Sequence, residues 1–159
     1  MSVHESAVGA SVEWYTPAWL FDRLGLMYDL DPASPESGPV PWIPATRSIS
    51  PSEDGLSQPW EGRVWLNPPY GPVGQRFIYR MADHRDGLLL IAARTETRAF
   101  QYAAKAADVV VFLRDRLWFV RPDGTSGRAS FGSALLAYDL DCADALVRAE
   151  LGWTIRVSR

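Results

Sequence analysis

The chain has 159 residues, 47% hydrophobic and 22% charged, with a formal net charge of −3. That is enough for one ordinary domain with a proper core, which excludes a disordered composition, and no apolar run approaches the ~20 residues of a membrane span. One cysteine, Cys142, excludes an internal disulfide framework, and two isolated histidines, His4 and His84, give no zinc spacing, so no metal site is expected.

Residues 1–12 are small and polar and predict a flexible N-terminal tail ahead of a single domain over 13–159. They hold no basic region followed by an apolar run, so no signal peptide is read and cytoplasmic residence is expected. In EWYTPAWLFDRLG, residues 13–25, Thr16 is a candidate N-cap, Pro17 a good first helical residue and Gly25 a stop. MYDLDP (27–32) reads as a short strand ended by Pro32. Residues 33–60 hold six prolines and little periodicity, which predicts a long irregular loop of the kind that usually carries function.

RVWL (63–66) predicts a strand, and residues 73–84 a helix with Val73, Phe77, Ile78 and Met81 on one face. GLLLIAA (87–93) and DVVVFL (108–113) are continuous apolar runs, typical of strands buried on both faces. A helix carrying Phe100, Ala103, Ala104 and Ala107 lies between them. RLWFV and SFGSALLAY flank the glycine-rich RPDGTSGRA (121–129) and predict an antiparallel hairpin closing the sheet. A short helix near 143–149 and a strand, WTIRV, complete the chain. Strand and helix alternate, so the class is α/β, with a mostly parallel sheet and a C-terminal antiparallel hairpin.

Charge is laid out unevenly. Residues 1–61 carry two arginines against nine acids, residues 62–93 four basic groups against two acids, and residues 94–128 seven against four. A basic middle suits one positive face shown to phosphates, and solvated surface charge explains it equally well. Fifteen of the sixteen basic residues are arginine, the side chain that makes forked phosphate contacts.

VWLNPPYGP (64–72) is the stretch that a bland turn does not explain. Pro68 and Pro69 have no backbone donor, so the strand must stop there, leaving an amide at one end of a stiff segment and an aromatic ring at the other. Ligands bind at this edge in open α/β sheets. The residue types suit a planar exocyclic amine, whose lone pair is delocalised and poorly nucleophilic. The Asn67 oxygen and the Pro68 carbonyl can accept its two N–H bonds and favour a tetrahedral nitrogen that attacks an electrophilic methyl group. Tyr70 would stack on a base turned out of its duplex, and Gly71 lets the chain pass close by.

Several elements occur in one order: EWYTPAWLFD, YDLDPAS, EDGLSQPW, VWLNPPYG, LLLIAARTETRAF and RLWF…SFGSALL. In this set the sequence resembles the small phage and prophage DNA N-6-adenine methyltransferases, distant relatives of Dam-type enzymes, over about residues 13–138. The resemblance implies a Rossmann-like class I methyltransferase fold, S-adenosyl-L-methionine as cofactor, DNA as partner, and methylation of the adenine amine by base flipping and direct transfer. It makes Asn67, Pro68, Pro69 and Tyr70 the catalytic residues, with Asn67 also beside the cofactor. A phage origin would place the enzyme in a host cytoplasm, where the methylation expected of it would evade a host restriction–modification system.

The remaining elements have their own physical readings. YTP opens a helix whose first N–H groups suit an anion, so Tyr15, Thr16 and Pro17 are candidates beside the methionine carboxylate, with a simple N-cap the alternative for Thr16. Asp31 ends its strand where the family's first cofactor motif lies, and a carboxylate there can face the cofactor's amino group or ribose. Asp29, two residues earlier, points to the same face of a regular strand and competes for that role. No glycine-rich G-x-G follows Asp31, so close backbone approach falls to Pro32, Ala33 and Ser34. Asp54 resembles the acid that accepts from the cofactor's adenine amine, or else it is a turn aspartate before glycine. Arg94 and Arg98, in ARTETR, are expected near the base or a phosphate, with Thr95 or Thr97 capping a helix, and Arg121 and Arg128 are candidate DNA contacts. The seven tryptophans are expected mainly in the core or in cofactor-pocket walls.

Motifs of this type also serve enzymes acting on cytosine N4, an RNA base or a protein glutamine, and a non-catalytic nucleic-acid-binding protein can keep the fold. Cytosine C5 chemistry needs a thiolate after proline, whereas Cys142 follows Asp141.

Overall fold

The computed structural model describes residues 13–158. The expected flexible tail, residues 1–12, lies outside the described residues. The described residues form a mixed α/β structure in which a seven-stranded sheet carries helices on both faces, beside a small two-stranded sheet.

The sheet order is β2-β1-β3-β4-β8-β5-β9, with β1 Tyr28–Asp31, β2 Ala45–Ser48, β3 Val64–Leu66, β4 Gly87–Ala92, β5 Val109–Leu113, β8 Ser133–Ala137 and β9 Gly152–Arg156. The first four strands run parallel, whereas β8 is antiparallel to both of its neighbours and β9 is antiparallel to β5. The sheet is therefore mixed at one end. Alternation along β4 shows how it is filled: Leu88 and Leu90 face helices α1 (Ala18–Leu24) and α4 (Leu140–Ala149), while Leu89 and Ile91 face α2 (Pro72–His84) and α3 (Arg98–Ala106). Burial on both faces explains why β4 and β5 read as unbroken apolar runs.

Three expectations need correction. The stretch 33–60 is not wholly irregular, because it contains β2 and a 3₁₀ turn, Pro51–Glu53. As an edge strand with Thr46 and Arg47 exposed, β2 has no apolar alternation to read. The expected sheet-closing hairpin is also different. β6 (Trp118–Val120) pairs with β7 (Ser126–Arg128) in the separate small sheet, while β8 inserts between β4 and β5. Polarity explains the split, since all five residues of β8 are buried and none of β7 is. Finally, α1 starts at Ala18 with Pro17 as N-cap, and the Thr16 side chain makes no cap.

Candidate active site

The chain leaves β1 towards β2 on one side and returns to β3 on the other, so a crevice opens between the ends of β1 and β3, the usual ligand position in open α/β sheets. Asp31 ends β1, and Asn67 follows the last residue of β3. Beyond Asn67 the two prolines stop the strand, Gly71 adopts φ 89° in the left-handed region, and Pro72 opens α2. A side chain at Gly74 would meet the Pro69 carbonyl oxygen at 1.7 Å, so the helix presses directly on the turn.

A cavity of about 410 Å³ fills this crevice. Of the expected cofactor residues, Tyr15, Thr16, Asp31, Pro32, Ala33, Asp54 and Asn67 line it, together with the catalytic candidates Pro68, Pro69 and Tyr70. Pro17 and Asp29 do not line it. Pro17 is buried at the start of α1. Asp29 is exposed and accepts a hydrogen bond from the Arg63 amide at 2.7 Å. The amides of Asp29 and Leu30 both donate to the Arg63 carbonyl, a bulge that breaks the two-residue alternation. Tyr28 accordingly packs on the α1/α4 side and Leu30 on the α2/α3 side, and Asp29 does not share the direction of Asp31.

Among the described residues, four carboxylates line the cavity, Glu13, Asp31, Glu36 and Asp54, and no basic side chain does. Asp31 is only 4% exposed, and burial pushes its carboxyl up to about 7, against the opposing hydrogen bond from the Ala33 amide. Near it the Ser34 hydroxyl is buried with no hydrogen-bond partner among the described residues. Glu13 behaves differently: partial burial raises its carboxyl, yet hydrogen bonds from Ser37 and Tyr15 hold it below its ordinary value. Asp54 lies at φ 57°, accepts from the Leu56 amide and faces the cavity, so it is at once a turn aspartate and a wall residue.

The loop carrying Asp54 is held from behind. Arg80, on α2, donates to the carbonyls of Gly55, Leu56 and Gln58 and lies over the Trp60 ring at 4.5 Å. Gly55 has no room for a side chain, because a Cβ would meet the Pro32 carbonyl oxygen at 1.9 Å. Neither Arg80 nor Gly55 stood out in the sequence, since the loop–helix contact joins residues more than twenty positions apart.

A second cavity, about 190 Å³, lies across the same motif and shares Asn67, Pro68, Pro69 and Tyr70 with the first. Phe119 also lines both. Sequence reasoning missed it, although the alternation of exposed Trp118 and buried Phe119 in RLWFV carried the signal. Arg94 is the one charged side chain of this second wall among the described residues, and it lies over the Phe131 ring at 5.5 Å. Tyr70 is 79% exposed at the junction.

The other arginines are less uniform than the sequence suggested. Arg98 and Arg128 are exposed outside both cavities. Arg121 is half-buried over the Trp14 ring at 4.5 Å and donates to Thr125, so it braces the hairpin. Thr97, not Thr95, caps α3. Among the tryptophans, Trp65 joins core and cavity wall as expected, but Trp19, Trp118 and Trp153 are exposed.

The family model described as DNA N-6-adenine-methyltransferase (Dam) matches residues 6–137. Neither a curated protein nor a solved structure matches the chain. The match spans most of the sequence, from the segment holding Thr16 through β8, and includes both cavity walls described above. Membership implies methyl transfer to DNA adenine, with S-adenosyl-L-methionine as the donor. The chain belongs to the DNA N-6-adenine-methyltransferase (Dam) family.

Proposed function

We propose that this protein methylates the N6 amine of adenine in DNA, after the base has been turned out of the duplex. One observation carries the reading: Asn67–Tyr70 forms a wall common to two cavities, the larger lined by acids and the smaller reached past Tyr70. The larger suits S-adenosyl-L-methionine in size and charge. Asp31 offers a buried carboxylate to its amino group, the free Ser34 hydroxyl offers a further polar contact, and Tyr15, Pro32, Ala33 and Asp54 complete the surround. When bound, the cofactor supplies a methyl group made electrophilic by its sulfonium.

The chain's own residues supply the rest. Tyr70 stacks on the extruded base. The Asn67 oxygen and the Pro68 carbonyl accept from the adenine amine, so that its lone pair leaves conjugation and points across the motif. The rigid Pro68–Pro69 unit keeps these acceptors from reorganising during transfer. Arg94, Arg98 and Arg128 bear on the DNA backbone, and Arg121 shapes the hairpin that carries Arg128. The strand order and the reversed β8 support a Rossmann-like class I methyltransferase arrangement, acting as a single domain over 13–159.

The test is to incubate the protein with tritiated S-adenosyl-L-methionine and adenine-containing duplex DNA, then digest to nucleosides. Label in N6-methyl-2′-deoxyadenosine is expected. Label only in deoxycytidine, only in protein, or in neither overturns the reading.

A further inference from the structure

We propose that Thr16 is a positioning residue, which acts through Asn67 by holding its amide in the one orientation that serves the amine. The inference rests on the function proposed above, because it assigns a task to the Asn67 oxygen.

Thr16 is 1% exposed, and its hydroxyl accepts from Asn67 Nδ2 at 3.3 Å, across a sequence gap of 51 residues. With Nδ2 engaged there, Oδ1 is the polar atom of the amide left for the cavity. The choice matters because an asparagine amide is nearly symmetric in shape and opposite in polarity at its two ends. An amine N–H needs an acceptor. A reversed amide would meet it with another donor, and the hydrogen bond that favours a tetrahedral nitrogen would be lost.

Thr16 can act as a fixed post because its surroundings leave it little freedom. Tyr15, just before it, exchanges two backbone hydrogen bonds with Val120, at 2.7 and 2.9 Å. The Thr16 carbonyl accepts from the Trp42 indole at 2.8 Å, and Pro17 fixes the backbone on the other side. The Tyr15 hydroxyl adds a lateral tie to Glu13 at 2.8 Å. These restraints also explain why the hydroxyl does not cap α1: the helix starts beyond Pro17, and the side chain turns towards β3.

The test compares Thr16→Val, which keeps the shape and removes the hydroxyl, with Thr16→Ser, which keeps the hydroxyl. Three readouts are taken: the single-turnover rate of methyl transfer to duplex DNA, the donor's Kd by calorimetry, and the Asn67 side-chain amide resonances of ¹⁵N-labelled protein without ligand. Thr16→Val should slow transfer about threefold to tenfold, the size expected for one neutral hydrogen bond, with Kd unchanged within twofold. Its Asn67 amide resonances should move, and Thr16→Ser should restore both rate and resonances. An unmoved amide in Thr16→Val overturns the proposal. So does a rise in Kd that accounts for the whole rate loss, since Thr16 would then be a ligand of the cofactor. Failure of the wild-type protein to methylate adenine would overturn the proposed function instead, and the Asn67 resonances would still decide whether Thr16 holds that amide.

Discussion

The two cavities share one wall and differ in almost everything else. The larger is built mainly from the first 55 residues, and its four acids come from that acidic stretch. The smaller is built from the basic middle of the chain, with Arg94 as its charged member. The uneven charge of the sequence therefore has two explanations. The arginines of the middle suit phosphates, and the acids of the first third are partly turned inward, towards the larger cavity. A net charge of −3 concealed this division because the two sides nearly cancel.

The contrast can be broken most severely at the shared wall. Asn67→Ala should lower turnover by about 10²–10³, by analogy with losing one preorganised polar group at an oxyanion hole, and reduce donor affinity far less. Single-turnover kinetics beside calorimetry checks this. Tyr70→Ala should weaken engagement of the base by about 1–3 kcal/mol, read as a loss of affinity for target DNA, and spare the donor.

On the acidic side, donor affinity should fall about fivefold for the first pH unit below about 7, as Asp31 takes up a proton, and Asp31→Asn should flatten that profile. The same group affects folding. The native carboxyl is raised from 3.8 to about 7, so between those values the folded chain holds a proton that the unfolded chain has released. Stability should therefore decline as pH climbs through that window, and urea titrations of Asp31→Asn should lack this slope. The smallest effect is expected for Asp54→Ala, a several-fold rise in the donor's Kd with DNA affinity unchanged. Calorimetry showing equal affinity would remove Asp54 from the donor site.

The legible parts of this structure were those where local chemistry and burial agree. NPPY had to end a strand because proline cannot donate, and the runs 87–93 and 109–113 had to be central because they carry no polar side chain. Asp31 was legible as a strand-end acid, but its rivalry with Asp29 was not resolved by spacing. That choice depends on a bulge created by one carbonyl of Arg63, a long-range event with no local signature. The same holds for β2, whose polar edge carries no pattern, and for β8, whose place between β4 and β5 depends on where the rest of the chain already lies. Thr16 was read through its neighbour Pro17 as a cap, when its partner is 51 residues away.

Helix α2 begins at Pro72, against the NPPY turn, and grips the 55–58 loop through Arg80. Eight residues separate these points, about 12 Å of helix. The helix is thus a measuring stick whose length sets how far the loop carrying Asp54 stands from the NPPY turn. Adding or deleting a single residue between Val73 and Tyr79 would swing Arg80 by about 100° and take it off all three carbonyls at once. Substitutions on the outer side of that span should be absorbed, whereas a change in its length should not.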